Sequence, residues 1–357
     1  MTEHYGIILV NLGSPAAPTP KALRKYLAQF LSDRRVIELH PLLWQPILHG
    51  IILRTRPARS AKAYQKIWRQ TASGEFAPEA PLVEITRAQA AKLQDALPSN
   101  IYVEPAMRYG QPSIEHALAA LETRGCKKIG VLPLYPQYAG ATVATVYDEL
   151  SRVISKRADL PGIRFLRDYH DNPAYISAIS NSLRQHLNGL EWQPDHILFS
   201  FHGLPVSNIE KGDPYADECR RTYALMCEDL SEIDITKQIT FQSRFGPKEW
   251  LQPYTLETLK QLAAGGKRKV LIITPGFSAD SLETLEELSI HAKQEFIDAG
   301  GEALSLVPCL NAQDIHIEAL AKITKQHLLS GWQKDVDTDD KINVIFHTSA
   351  QQQRGFT

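Results

Sequence analysis

An alternation constrains the fold of this chain more than any other feature. Short runs rich in Ile, Val and Leu, each closed by turn residues, are separated by segments of helical length. Residues 7–10 form one such run and end at Gly13-Ser14-Pro15; the others are 101–105, 129–134, 197–201, 239–241 and 270–273. Continuous apolar runs of this length read as parallel strands buried on both faces. Residues 82–97, 113–123, 213–230, 256–264 and 282–299 supply the helical patterns between them. Strand–helix alternation implies an α/β fold with parallel sheets. A chain of 357 residues has room for about two such domains. Val10-Asn11-Leu12-Gly13-Ser14-Pro15 and Ser200-Phe201-His202-Gly203-Leu204-Pro205 share a buried strand, then Gly, one residue and Pro. A duplicated pair of domains accounts for that likeness, and so does chance. The polar stretch 156–162, with Pro161, places the boundary near 165: an N-terminal domain over 1–165 and a C-terminal one over 166–330.

Charge and cysteine usage narrow the function. With 39 basic and 40 acidic residues the formal charge is −1. No bulk field therefore attracts nucleic acid or anionic lipid. Aromatic residues are not interleaved with basic runs either, which argues against nucleic-acid binding. The four cysteines, Cys126, Cys219, Cys227 and Cys309, form no C-x-x-C pair and match neither a zinc site nor a disulfide framework. The chain reaches an apolar run by Tyr5 with no basic region before it. A cytoplasmic location is the expectation. No stretch approaches the roughly 20 apolar residues of a membrane span. Residues 16–60 form an insertion after the first strand. Its part 39–53 is apolar (Pro41, Leu42, Leu43, Trp44, Pro46, Ile47, Leu48, Ile51, Ile52) and is followed by Arg54, Arg56 and Arg59. Two readings fit: a helix packed on the core, or a greasy lip with a basic collar that touches a membrane or an apolar ligand. The segment 331–357 is a polar tail, acidic from Lys334 and ending near Gln351-Gln352-Gln353, for which partial disorder is expected.

Three common cofactor signatures are missing: G-x-G-x-x-G after a strand, G-x-x-x-x-G-K-[ST] and G-x-S-x-G. In doubly wound folds ligands bind at the carboxyl ends of strands. Five features lie at such places or near them. His202 closes the run 197–201 and is followed by Gly203; an imidazole there suits a general base or a metal ligand, or merely bonds its own loop. Helical spacing puts Glu283, Glu287 and His291 on one face, as a titratable row able to pass protons or divalent cations, or as a solvated face. Gln242-Ser243-Arg244-Phe245-Gly246-Pro247 leads to Trp250, a core anchor or an aromatic wall for a flat ligand. Arg108-Tyr109-Gly110 follows a strand, where an Arg suits bidentate carboxylate binding. Leu134-Tyr135-Pro136-Gln137-Tyr138 is again a strand end.

Taken in order, these stretches resemble the ferrochelatase family. The likeness runs from about residue 6 to 310. It also includes Leu12-Gly13-Ser14-Pro15, Phe30-Leu31-Ser32-Asp33-Arg34-Arg35-Val36, Lys211-Gly212-Asp213-Pro214-Tyr215 and Leu282-Glu283-Thr284-Leu285-Glu286-Glu287, and 199–215 is its most specific part. The resemblance implies two Rossmann-like domains of chelatase type, each a parallel sheet flanked by helices, with the active-site cleft between them. It implies insertion of Fe²⁺ into protoporphyrin IX to form haem, with release of two protons. His202 and Glu283 would face the porphyrin centre and handle metal and protons, and Glu287 would extend an acidic path outward. Trp250 would line one wall and Arg108 and Tyr109 the other, with Leu12 and Tyr135 among the substrate contacts and Arg56 pairing with propionates. The insertion would form the lip that meets the inner membrane peripherally. Fe²⁺ would be a substrate and no cofactor would be permanently bound; the cysteine spacing does not match the C-terminal iron–sulfur cluster of animal members.

Some positions depart from the family pattern. Ser281 stands where many members have histidine or cysteine. Ala139-Gly140-Ala141 replaces a Ser- and Thr-rich stretch. Leu12 goes with protoporphyrin, whereas members acting on coproporphyrin have tyrosine there. A non-catalytic porphyrin-binding module on the same scaffold, or a chelatase for another tetrapyrrole or metal, remains an alternative.

Overall fold

The computed structural model describes residues 3–332; most of the tail expected over 331–357, with its expected disorder, lies outside the described residues. The first half runs β1 (Tyr5–Asn11), α1 (Pro20–Leu31), α2 (Pro41–Ile47), α3 (Leu53–Ile67), α4 (Pro81–Asp95), β2 (Ile101–Met107), α5 (Ile114–Thr123), β3 (Lys128–Pro133), α6 (Val143–Ile154) and β4 (Gly162–Phe165). The second runs α7 (Pro173–Asn188), β5 (His196–His202), α8 (Val206–Glu210), α9 (Tyr215–Asp229), β6 (Lys237–Gln242), α10 (Thr255–Ala264), β7 (Lys269–Ile273), α11 (Leu282–Leu285), α12 (Lys293–Asp298), β8 (Ala303–Leu306) and α13 (Asp314–Ile323). Three π-helical turns, Leu48–Ile52, Glu287–Ala292 and Thr324–Leu329, continue helical segments.

Each half holds a four-stranded parallel sheet, and the two orders match: β2-β1-β3-β4 and β6-β5-β7-β8. The chain crosses from one side of β1 to the other, and likewise at β5, so each sheet has its switch point there. The two similar strand ends, 10–15 and 200–205, therefore occupy the same place in the two sheets. This is a pair of Rossmann-like domains. The strands form because both faces are covered: Ile7, Ile8, Leu9 and Val10 are fully buried, as are Ile197, Leu198 and Phe199. Fully burying one such side chain is worth about 1.5–3 kcal/mol.

One core joins the halves. Ile7, Leu9 and Leu132 of the first sheet share a buried cluster with Phe199, Phe201 and Leu271 of the second, and with Tyr175 of α7 and Leu320 of α13. The π turn after α13 returns to the first sheet; a Cβ on Gly130 of β3 would lie 3.0 Å from the Leu328 Cβ, so glycine there admits the close approach. The loop after β3 is tied to the second half as well. Tyr138 N–H donates to Glu218, Gly140 N–H to Asp213 Oδ2 (2.7 Å), Gln137 Nε2 to Thr222 Oγ1 (3.0 Å), and Ser278 Oγ to the Leu134 carbonyl (2.9 Å).

Residues 282–299, expected as one helix, are interrupted. α11 is a single turn capped by Ser281, a π turn follows, and α12 completes the segment. His291 N–H reaches back five residues to the Glu286 carbonyl (2.9 Å), which changes the phase of the side chains. The row Glu283–Glu287–His291 expected from regular spacing is thereby broken: Leu288 and Ala292 turn inward and His291 outward to solvent.

The insertion forms α2, a π turn and α3. Its apolar side chains are not packed as a core helix would pack them: Leu42 is 80% and Leu43 67% exposed, and Leu39, Ile47 and Ile51 are exposed too. Leu48 and Leu53 face inward against Tyr26, Leu27 and Tyr109.

Candidate active site

The carboxyl ends of both sheets converge on the segment 275–287. Gly203 ends β5 and makes the local turn possible. Its N–H donates to the Gln242 carbonyl (2.7 Å), and a Cβ there would meet that oxygen at 2.8 Å and the Trp250 ring at 3.1 Å. His202 is held at the mouth of this turn. Its Nδ1 lies 2.6 Å from the Gly203 carbonyl. A carbonyl only accepts, so Nδ1 carries the proton and Nε2 is the free basic nitrogen. The Tyr215 hydroxyl donates to the His202 carbonyl (2.9 Å). The imidazole sits 6.4 Å from the Trp250 ring and 6.5 Å from the Phe277 ring, so two aromatic groups flank it.

Glu283 lies in the single turn of α11. Gln242 Nε2 donates to its carbonyl (2.9 Å), and Ser200 Oγ holds the Gln242 Oε1 (2.8 Å), so strands β5 and β6 fix this turn from below. From the other side, Leu282 packs on a cluster of the first half that includes Leu23, Tyr64 and Met107. Tyr26, Tyr64 and Tyr135 of the first half lie near enough to Glu283 for its charge to act on their hydroxyls. Burial pushes all three well up, and the Glu283 charge adds to it. Lys66 of α3 bridges to Glu286 (2.8 Å), a further link between the halves.

Glu287 opens the π turn that follows α11. Both its oxygens are bound by Ser243, one by the backbone N–H (2.8 Å) and one by the hydroxyl (2.6 Å). Burial pushes the Glu287 carboxyl above the usual range. The Ser243 hydroxyl and the neighbouring His202 pull it back down, and Glu283 pushes it up. Ser243 reaches this position with φ of +66°, a left-handed backbone that few residues other than glycine adopt. Its role was not readable beforehand, although it stands in the Gln242–Pro247 motif one residue past a strand.

The opposite wall is built on β1, β2 and β3. Gly13 has φ of +103°, and a Cβ there would lie 1.8 Å from the Tyr109 carbonyl, so only glycine lets the β1 end pass this close. Arg108 already holds a carboxylate of its own chain. Its guanidinium donates to Asp33 Oδ2 (2.5 Å) and to the Thr145 carbonyl (2.7 Å), and stacks 4.4 Å over the Tyr109 ring. The Tyr109 hydroxyl donates to the same Asp33 oxygen (2.9 Å), and burial pushes that hydroxyl up. Asp33 is thus a site residue that spacing alone did not reveal. Leu12 is half-buried beside Tyr26, Leu27 and Tyr109. The Tyr135 hydroxyl and the Trp250 indole N–H are buried donors with no partner among the described residues.

Arg56 lies across the cleft mouth, 4.7 Å over the Phe245 ring. Burial, and then the neighbouring Arg59, lower its pKa. It forms no ion pair with a carboxylate among the described residues, unlike Glu38 of the same insertion, which meets Lys211 (2.6 Å) and Lys248 (3.6 Å) from the second half. The structure thus brings His202, Glu283, Glu287 and Trp250 together on the second half. It sets Leu12, Arg108, Tyr109 and Tyr135 on the first, and Arg56 at the rim.

Comparison with known proteins follows the same line. The family model described as Ferrochelatase matches residues 4–328. The ferrochelatases of Brucella canis and Brucella ovis are each 46% identical over 329 residues, covering 92% of this chain and 92% of theirs. Among solved structures, SirB from Bacillus subtilis with Fe³⁺ superposes with a TM-score of 0.53 at 13% identity, covering 93% of this chain and 99% of that one. The sirohydrochlorin chelatase SirB from Bacillus subtilis subspecies spizizenii, in complex with cobalt, gives 0.51 at 12% identity, with 92% and 98% covered. At such identities these two speak for the fold alone. The family match, spanning nearly the whole chain, says more: this chain belongs to the ferrochelatase family.

Proposed function

We propose that this ferrochelatase inserts Fe²⁺ into protoporphyrin IX in the cleft between its two domains, with His202 as the base that takes the pyrrole protons. The observation that carries this reading is the imidazole itself. Its Nδ1–H is committed to the Gly203 carbonyl, which leaves Nε2 as an acceptor near the half-buried Glu287. Metallation removes two protons from nitrogens whose lone pairs lie in the plane of a flat macrocycle. Bending the ring exposes them, and binding contacts remote from the centre supply the strain energy. Glu283, in the single turn of α11, and Glu287, held by Ser243, then conduct protons away from the imidazole. Imidazole and carboxylate both suit Fe²⁺, so His202 and Glu283 also hold the arriving metal. Iron is the substrate here, and no resident cofactor takes part.

The walls agree with an apolar macrocycle. Leu12 presents an aliphatic surface among Tyr26, Leu27 and Tyr109, which favours protoporphyrin over a tetrapyrrole with more carboxylates. Arg56, a half-buried cation with no carboxylate partner among the described residues, pairs with a propionate, and Tyr135 and Trp250 offer their unpartnered donors to the ligand. Arg108 and Tyr109 act through the wall they build with Asp33. Exposed Leu39, Leu42, Leu43, Ile47 and Ile51 seat the rim peripherally on the inner membrane from the cytoplasm. No helix among the described residues is long and apolar enough to cross a membrane.

The test is anaerobic absorbance with Fe²⁺ and either protoporphyrin IX or coproporphyrin III, comparing the wild type with His202→Ala. The expected result is faster haem formation from protoporphyrin, abolished in the variant while porphyrin still binds. Near-normal turnover in His202→Ala removes the proposed base, and faster turnover of coproporphyrin removes the assigned substrate.

A further inference from the structure

A buried polar hub lies behind α11. Asn311, in the loop between β8 and α13, forms a two-bond ring with Asp280. Its Nδ2 donates to Asp280 Oδ2 (2.7 Å), and Asp280 N–H donates to its Oδ1 (2.8 Å). The buried Asp280 also accepts from Thr284 Oγ1 (3.0 Å) and from Cys309 N–H (3.3 Å) through Oδ1. Thr284 is the neighbour of Glu283 in the single turn of α11. The Asn311 backbone gathers three more elements. Its N–H donates to the Ser278 carbonyl (3.1 Å), and its carbonyl accepts from Gln89 Nε2 of α4 (3.0 Å) and from His316 Nδ1–H of α13 (2.7 Å). Gln89 donates to the Ser278 carbonyl as well (3.1 Å), so a residue of the first domain closes the hub. Asn311 adopts φ of +46°, which asparagine tolerates better than most residues.

A turn of four residues has too few internal hydrogen bonds to hold itself, so outside partners set its direction. We infer that Asn311 is a positioning residue for Glu283: through Asp280 and Thr284 it sets the orientation of the α11 turn, and through Gln89 it registers that turn against the other domain. This inference rests on the reading of Glu283 as a working carboxylate. It assigns Asn311 no contact with porphyrin or metal.

Asn311→Asp sets a second carboxylate against Asp280 where an amide had donated. Asn311→Gly keeps the left-handed backbone and deletes the ring. Each is expected to lower kcat about 10–100-fold, the usual size of an effect from a supporting partner, with the porphyrin Kd, read by fluorescence titration, changed less than about two-fold. The reciprocal double variant Asp280→Asn/Asn311→Asp restores one amide facing one carboxylate and should recover kcat to within about three-fold of the wild type. A merely structural role moves thermal stability and leaves the kcat of the folded enzyme alone. Wild-type kcat in both single variants, or no recovery in the double variant, overturns the assignment. Glu283→Ala is measured alongside. If it is inactive while the Asn311 variants are normal, the positioning role alone falls; if it turns over normally, the reading of Glu283 falls and the inference with it.

Discussion

Replacing Ser243 by glycine separates the two things this residue does. The variant keeps the backbone N–H that donates to Glu287 (2.8 Å) and loses the hydroxyl that donates to its other oxygen (2.6 Å). A hydrogen bond to a buried charged group is worth about 1.5–3 kcal/mol. Losing that bond should raise the Glu287 carboxyl further above its usual range. The sign follows from the acid. Burial already holds this carboxyl above its usual range, and the Ser243 hydroxyl is the largest influence pulling it down. Glu287 accepts protons only when ionised, so removing that influence shifts the acidic limb of the kcat/KM profile to higher pH. Activity should fall most on the acidic side of the profile and converge with the wild type at alkaline pH. Stability should change little, because relief of the left-handed backbone at φ +66° offsets about 1 kcal/mol of the lost bond. The assay is initial-rate metallation across pH at saturating Fe²⁺, with thermal melts run in parallel. An acidic limb that stays in place in a folded variant refutes the reasoning, since Glu287 would then not be the group whose ionisation limits the rate.

Two further outcomes concern stability. His316 is fully buried, donates from Nδ1 to the Asn311 carbonyl (2.7 Å), and has its pKa pushed down by burial to about 4. The unfolded chain takes up this proton near pH 6.5 and the folded one only near 4, so the stability is complete above 6.5 and is lost as pH falls between the two. The full loss is about 3 kcal/mol. Urea midpoints at pH 7 and pH 4.5 should converge more in His316→Gln than in the wild type, and an equal drop in both proteins contradicts this. Asp33→Ala removes the nearer carboxylate of the Arg108 guanidinium, both side chains of this pair being only 10% exposed, and leaves Glu149 at 4.0 Å. Breaking a buried pair costs about 3–5 kcal/mol, and a denaturation midpoint that implies less than about 1 kcal/mol shows that the cation finds another partner.

The central strands were legible because parallel strands buried on both faces write themselves as unbroken apolar runs, as at 7–10 and 197–201. Two edge strands, β2 and β6, were found as well, through 101–105 and 239–241, but the short edge strands β4 and β8 were not: Gly162–Phe165 carries Arg164 and Ala303–Leu306 carries Ser305. Each pairs on one side only, so less of its length needs to be apolar. The interrupted helix at 282–298 was hidden for a different reason. Leu282, Leu285 and Leu288 satisfy a regular helical period, and a π turn changes the phase without changing composition. His202, Glu283 and Glu287 were visible through the ordered motifs around them. Their supports were not, because Gln89 meets Asn311 and Asp33 meets Arg108 across long stretches of chain, and single polar residues leave no periodic trace.

The ties between the loop after β3 and the second domain have a mechanical consequence. Backbone amides at Tyr138 and Gly140 anchor on Glu218 and Asp213, while the mouth is joined by solvent-facing pairs such as Glu38 with Lys211. Exposed ion pairs are worth under about 1 kcal/mol each. The stiff end of the cleft is therefore its floor and the compliant end its rim. A load that pulls the halves apart strains these exposed pairs before it strains the amide ties.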